Sequence, residues 1–148
     1  MDEKLEKILK TYLVDYHNQR LNCAESVLIT MRDYYGWDAA LCPRVATAFG
    51  GGGCGAQGMC GTLSAALMTV GILYGRELGG DKTPAYEKGR SFIQWFESLN
   101  GTTLCRQITG LDTSTSEGQA LFRAPGGVHE RVCEPLVAQV CRRLVQIL

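Results

Sequence analysis

Apolar positions recur at helical spacing through most of the chain. Leu5, Ile8, Leu9, Tyr12, Leu13 and Tyr16 share one face and predict a first helix over residues 2–19. Arg20-Leu21 breaks the pattern. Asn22 then has the character of an N-cap, with Glu25 three residues on as its capping-box partner. The helix it opens runs to about Tyr35, and Gly36 is its stop. A third helix fits Asp38 to Phe49, with Leu41, Val45, Ala48 and Phe49 inward. Thr83, followed by Pro84, opens another that carries Tyr86, Phe92, Ile93, Trp95, Phe96 and Leu99, and Asn100-Gly101 ends it. Leu104 to Gly110 allows one short helical turn. Leu111 to Gly127, rich in Thr, Ser and Gly, reads as a long loop with one turn around Glu117 to Phe122. A last helix runs from about Val128 to Leu148, bearing Val132, Leu136, Val137, Val140, Leu144 and Leu148. No strand alternation and no internal repeat is visible. The predicted class is all-α, a single-domain irregular bundle over residues 1–148.

One stretch departs from this periodicity. Phe49 to Gly61 contains seven glycines and two cysteines in thirteen residues. Glycine in such numbers serves neither helix nor strand; it permits positive φ and lets backbone N–H groups approach a ligand closely. The run after it, Thr62 to Tyr74, carries Leu63, Ala65, Ala66, Leu67, Met68, Val70, Ile72 and Leu73 and is apolar nearly all round. That predicts a central helix buried on every side, with Leu63, Leu67, Val70 and Leu73 in the core. A thiol-bearing glycine loop thus leads into a helix N-terminus, where thiolates and anions are favoured.

Composition narrows the classes. Fifteen Lys and Arg balance fifteen Asp and Glu over 148 residues, which argues against nucleic acid or an anionic membrane surface as partner. The charged start Met1 to Lys7 is unlike a signal peptide, and the longest apolar run is too short to span a bilayer. The expectation is a soluble cytoplasmic protein. Seven cysteines are many for a reducing compartment and suggest metal, cluster or thiol redox chemistry over a disulfide framework.

Cys54 and Cys60 flank five residues of the glycine loop, unlike the two-residue spacing of thioredoxin motifs or zinc knuckles and closer to iron–sulfur sites. Cys105 precedes Arg106, a cation expected to lower its pKa. Cys23 lies in the first turn of a capped helix, where the dipole stabilises a thiolate. Cys133 opens the last helix one turn after His129, and the two could ligate one metal; a solvated His129 is the simpler reading. Cys141 reads as core, Cys42 as a bystander and His17 as an exposed helix-end residue.

These residues also carry a resemblance. Asn22-Cys23-Ala24-Glu25-Ser26-Val27-Leu28, Gly53-Cys54-Gly55-Ala56-Gln57-Gly58, Cys60 to Leu67, Cys105-Arg106 with Thr109-Gly110, and Cys133 with Leu136-Val137 follow one another in order. In this the chain, over roughly residues 10 to 148, resembles the family named for a C_GCAxxG_C_C cysteine pattern. Gly55 stands where the pattern has Ala, Arg20 where a glycine is expected, and Cys42 and Cys141 have no counterpart. The resemblance implies a redox role. The family is similar to the cysteine-bearing part of split-Soret cytochromes, which implies an iron–sulfur cluster in a helical domain. There is no Cys-x-x-Cys-His for covalent haem.

Three functions follow as expectations. The first is an iron–sulfur protein for electron transfer or redox sensing, with ligands Cys54, Cys60, Cys105 and Cys133, Cys23 in reserve, and loop glycines Gly53, Gly55, Gly58 and Gly61 bringing N–H donors to the sulfurs. The second is a metal-free thiol–disulfide oxidoreductase, with Cys60 attacking as a thiolate and Cys54 resolving. The third is a structural zinc on the same thiols. A redox partner protein is expected, and the aromatic helix after Pro84 would suit a homodimer face.

Overall fold

The computed structural model describes residues 1–38 and 40–148. Asp2 accepts the Leu5 N–H and starts helix α1, Glu3–His17. Helix α2, Cys23–Tyr35, opens on the complete Asn22/Glu25 capping box and ends at Gly36 in the left-handed conformation. Helices α3, Gly61–Tyr74, and α4, Thr83–Asn100, are joined by the loop around Gly79. Two short helices follow, α5, Cys105–Thr109, and α6, Ser116–Arg123, and α7, Glu134–Ile147, closes the chain. No strand occurs among the described residues, only one isolated bridge between Met59 and Leu104. The architecture is all-α.

Helices α2 and α3 form the central pair. Helix α2 packs on α1, α3 and α7, and α3 packs on α2, α4 and α7. The core is built from Leu5 and Leu9 of α1, Val27, Leu28 and Met31 of α2, Leu63, Ala65 and Ala66 of α3, Phe92 and Phe96 of α4, and Leu136, Val137, Val140 and Leu144 of α7. Cys141 is wholly buried there beside Thr30.

Four expectations need correction. Helix α3 is not buried on every side: its first half is, but Gly71 and Ile72 are exposed and Leu67 and Leu73 half-buried, because α4 covers only one flank. The helix expected over Asp38 to Phe49 includes residue 39, outside the described residues. Beyond it only a 3-10 segment forms, Arg44–Phe49, and Leu41, Val45, Ala48 and Phe49 face outward while Ala46 is buried. Pro43 disfavours helical backbone before it, and Gly50 leaves the segment in extended conformation. The last helix begins as a π-helical turn, His129–Cys133. Pro135 lacks an N–H and would crowd the Arg131 carbonyl in a regular helix, so the preceding turn widens. The stretch expected to be a loop with one turn holds α6, whose Thr115 caps it by accepting the Gly118 N–H. Of the aromatic face on α4, Phe92 and Phe96 are core, whereas Tyr86 and Leu99 are exposed.

Candidate functional site

After the 3-10 segment the chain coils left-handed. Gly51, Gly52, Gly53, Cys54 and Gly55 all have positive φ. That conformation costs an L-residue about 1–2 kcal/mol, and four of the five are glycine, which adopts it freely. Cys54 is the exception, at φ 48°. N–H groups close the coil: Cys54 donates to Ala48 O at 2.7 Å, Gly55 to Gly50 O at 3.0 Å, and Gly58 to Gly52 O at 2.9 Å. At Gly52 a Cβ would stand 2.5 Å from the Gly58 nitrogen, so no side chain fits.

The loop's end is stitched to the start of α5. Cys60 N–H donates to Thr103 O at 2.8 Å and Cys105 N–H to Gly58 O at 2.7 Å, either side of the Met59–Leu104 bridge. Gln57, buried and at positive φ, pins the next stretch. Its amide donates to Leu111 O at 2.8 Å and accepts the Thr113 N–H at 3.1 Å. Cys23 opens α2 directly against Gly61, the first residue of α3, and Cys133 ends the π-helical turn.

These elements surround one cavity of about 420 Å³, lined by five cysteines: Cys23, Cys54, Cys60, Cys105 and Cys133. All seven cysteines are free thiols. Four of the five, Cys23, Cys60, Cys105 and Cys133, lie close enough to act on one another electrostatically. Cys54 is exposed at the rim, its thiol facing Ala48 O at 3.4 Å. Cys23 therefore belongs to the inner group and Cys54 does not. Cys42 and Cys141 lie away from the cavity. Among the described residues, no three His, Cys, Asp or Glu side chains close on a single ion-sized point.

Each inner sulfur has a polar neighbour that favours its charged form. The Gly51 N–H points at Cys23 and the Gln57 side chain at Cys105. The Tyr16 hydroxyl meets Cys133. Thr62 Oγ1 stands 3.1 Å from Cys60 Sγ, and the N–H groups of Thr62 and Leu63 also face it. The N–H groups of Gly53, Gly55 and Gly58 bond within the loop instead. Gly51 supplies the donor the others were expected to give.

Burial dominates the electrostatics. It pushes the thiols of Cys23 and Cys133 up to about 12, with the neighbouring thiols adding to the effect, and Cys105 up to about 11. Cys60 is raised too, because burial outweighs the Thr62 and Leu63 donors at its helix start. The expected activation of Cys60 as a thiolate is thus overturned by desolvation. Arg106 does not activate Cys105 either; it pairs with Asp112 at 3.3 Å.

His129 is not solvated. It is buried, stacked on Tyr16 with ring centroids 4.4 Å apart, and edge-on to Phe122. Its pKa is lowered by burial and by the Arg123 charge. His17, exposed as expected, meets Glu134 at 2.6 Å. Sequence reasoning missed Tyr16, Gln57 and Thr62 as partners of the thiols. Tyr16 counted only as an apolar position, although a tyrosine at a core position needs a partner for its hydroxyl.

No curated protein and no solved structure gives a significant match to the chain. Among the described residues no helix is long and apolar enough to cross a membrane. A family model described as "Putative redox-active protein (C_GCAxxG_C_C)" matches residues 21–147, which include all five cavity cysteines. The chain belongs to this C_GCAxxG_C_C family of redox-active proteins.

Proposed function

We propose that the cavity holds an iron–sulfur cluster ligated by Cys23, Cys60, Cys105 and Cys133. The observation that carries this reading is the convergence of four free thiols, from four separate elements, on one cavity. The donor set fits such a group. Soft sulfur donors select zinc or iron–sulfur clusters over hard cations. A single zinc needs four sulfurs about 2.3 Å from one point, whereas these thiols ring a cavity without closing on an ion-sized centre. A polynuclear group, whose thiolates attach to different irons, needs no such single point.

Bound there, the cluster would supply one-electron transfer. The chain's own residues do the rest. Metal ligation deprotonates thiols that burial otherwise keeps neutral, so loading depends on displacing their protons. Tyr16, Gln57, Thr62 and the Gly51 N–H then face sulfurs that carry negative charge, and donors of this kind favour the reduced state. The left-handed loop forms the outer wall, with Cys54 and Gly55 at the rim, where a redox partner protein would approach.

The metal-free dithiol enzyme has less support. Its attacking thiol, Cys60, is buried with its pKa raised by that burial, and its resolving thiol, Cys54, lies outside the mutually interacting group. Anaerobic reconstitution with iron and sulfide, followed by absorption spectroscopy and metal analysis, tests the assignment. A coloured protein holding iron and acid-labile sulfide is expected. A colourless protein that takes up only zinc, or no metal, overturns it.

A further inference from the structure

The cavity extends from the inner thiols out to a rim that carries exposed Cys54, Gly55, Arg20 and Arg123. The cavity holds about 420 Å³. That lies within the roughly 300–1,000 Å³ of small-ligand sites.

The charge of the outer part is one-sided. Arg20, Glu25 and Arg123 are the charged residues in the lining, and His129 stands beside them with its pKa lowered by burial and the Arg123 charge. The Glu25 carboxylate is already engaged. One oxygen accepts the Asn22 N–H and the other the Thr47 hydroxyl, each at 2.9 Å. Arg20 is held only loosely, 3.6 Å from Asp15. Arg123 forms no ion pair among the described residues and lies over the ring of Phe122, another lining residue, 5.2 Å from its centroid. Two cations on different elements, the link after α1 and the end of α6, thus border one open cavity against a single carboxylate, Glu25, among the described lining residues.

We infer that the outer part of the cavity is a binding site for a small anion, a short-chain carboxylate or a comparable oxyanion, held between Arg20 and Arg123. The inference stands beside the cluster reading, since binding itself needs no metal.

The test titrates pyruvate and, separately, inorganic phosphate into reduced protein, metal-free and anaerobically reconstituted, by ligand-observed NMR and calorimetry. Saturable binding of at least one probe is expected, weakened about tenfold by Arg123→Gln or Arg20→Gln and lost in the double variant. Arg90→Gln, on the exposed face of α4, leaves it unchanged. Preference for pyruvate assigns the site to carboxylates, and preference for phosphate to tetrahedral oxyanions. Both arginines are exposed, so their removal leaves the core intact. No saturable binding of either probe, or equal weakening by Arg90→Gln, overturns the inference. Iron and sulfide content on the same samples separates the two claims. Iron without anion binding sinks the anion site alone, and anion binding without iron sinks the cluster alone.

Discussion

Replacing Gly61 with alanine puts a methyl group where there is no room. Its Cβ would stand 2.5 Å from Cys23 Sγ, 2.8 Å from the Phe49 carbonyl oxygen and 3.3 Å from Ala24 Cβ. The sulfur can rotate, but the carbonyl belongs to the 3-10 segment and Ala24 to α2, so both elements must move. Overpacking of this kind costs about 1–3 kcal/mol. Alanine regains at most about 1 kcal/mol of helix propensity, and less at a first helical position. The net loss is about 1–2 kcal/mol, a fall in Tm of roughly 3–8 °C for a domain of this size. The assay is thermal unfolding of the reduced, metal-free protein. Gly71→Ala in the same helix is the control, because a Cβ there meets nothing within 4 Å. It should stabilise by about 0.5–1 kcal/mol. A Gly61→Ala variant as stable as wild type, or a Gly71→Ala variant equally destabilised, would refute the close approach of α3 to Cys23.

Other outcomes follow from the same geometry. In the metal-free protein, iodoacetamide at pH 7 should modify exposed Cys54 first, with Cys23, Cys60 and Cys133 slow and Cys141 reacting only on unfolding; mass-spectrometric mapping that finds Cys60 first would contradict the burial argument. Metal-free stability should fall at alkaline pH. The folded-state pKa values of Cys23, Cys133 and Cys141 are pushed up to about 12, so above about pH 8.5 the unfolded chain releases protons the folded one retains, and the stabilisation is lost progressively up to about pH 12. Urea midpoints that stay level from pH 8 to 10 would argue against it. Tyr16→Phe in the reconstituted protein should lower the reduction potential by about 40 mV, the equivalent of one hydrogen bond of about 1 kcal/mol. A voltammetric potential equal to wild type would show that the hydroxyl does not act on Cys133.

The helical skeleton was legible because its signals are local. Asn22 with Glu25, Gly36 and Asn100-Gly101 mark ends that depend on neighbouring residues alone. The 3-10 segment was less so: Leu41, Val45, Ala48 and Phe49 have helical spacing, yet nothing packs over them. Pro135 was a visible cue for the π-helical turn, but its effect falls on the preceding residues. The cysteine site was legible as a set and not as a geometry. Cys54 and Cys60 are near in sequence, but a left-handed coil turns one to the rim and the other inward. Cys23 joins the inner group through the contact of α2 with Gly61, which no spacing encodes. Desolvation of Cys60 likewise depends on what surrounds the cavity, so helix-start position alone gave the wrong sign.

The most direct test compares Cys23→Ser with Cys54→Ser after anaerobic reconstitution, with iron and sulfide measured per chain. Both positions line the cavity, but only Cys23 belongs to the mutually interacting group. Cys23→Ser should lose most of its cluster absorbance and iron, as should the serine variants of Cys60, Cys105 and Cys133, while Cys54→Ser keeps both at the wild-type level. Full iron and sulfide in Cys23→Ser with loss in Cys54→Ser would contradict the ligand set read from the fold.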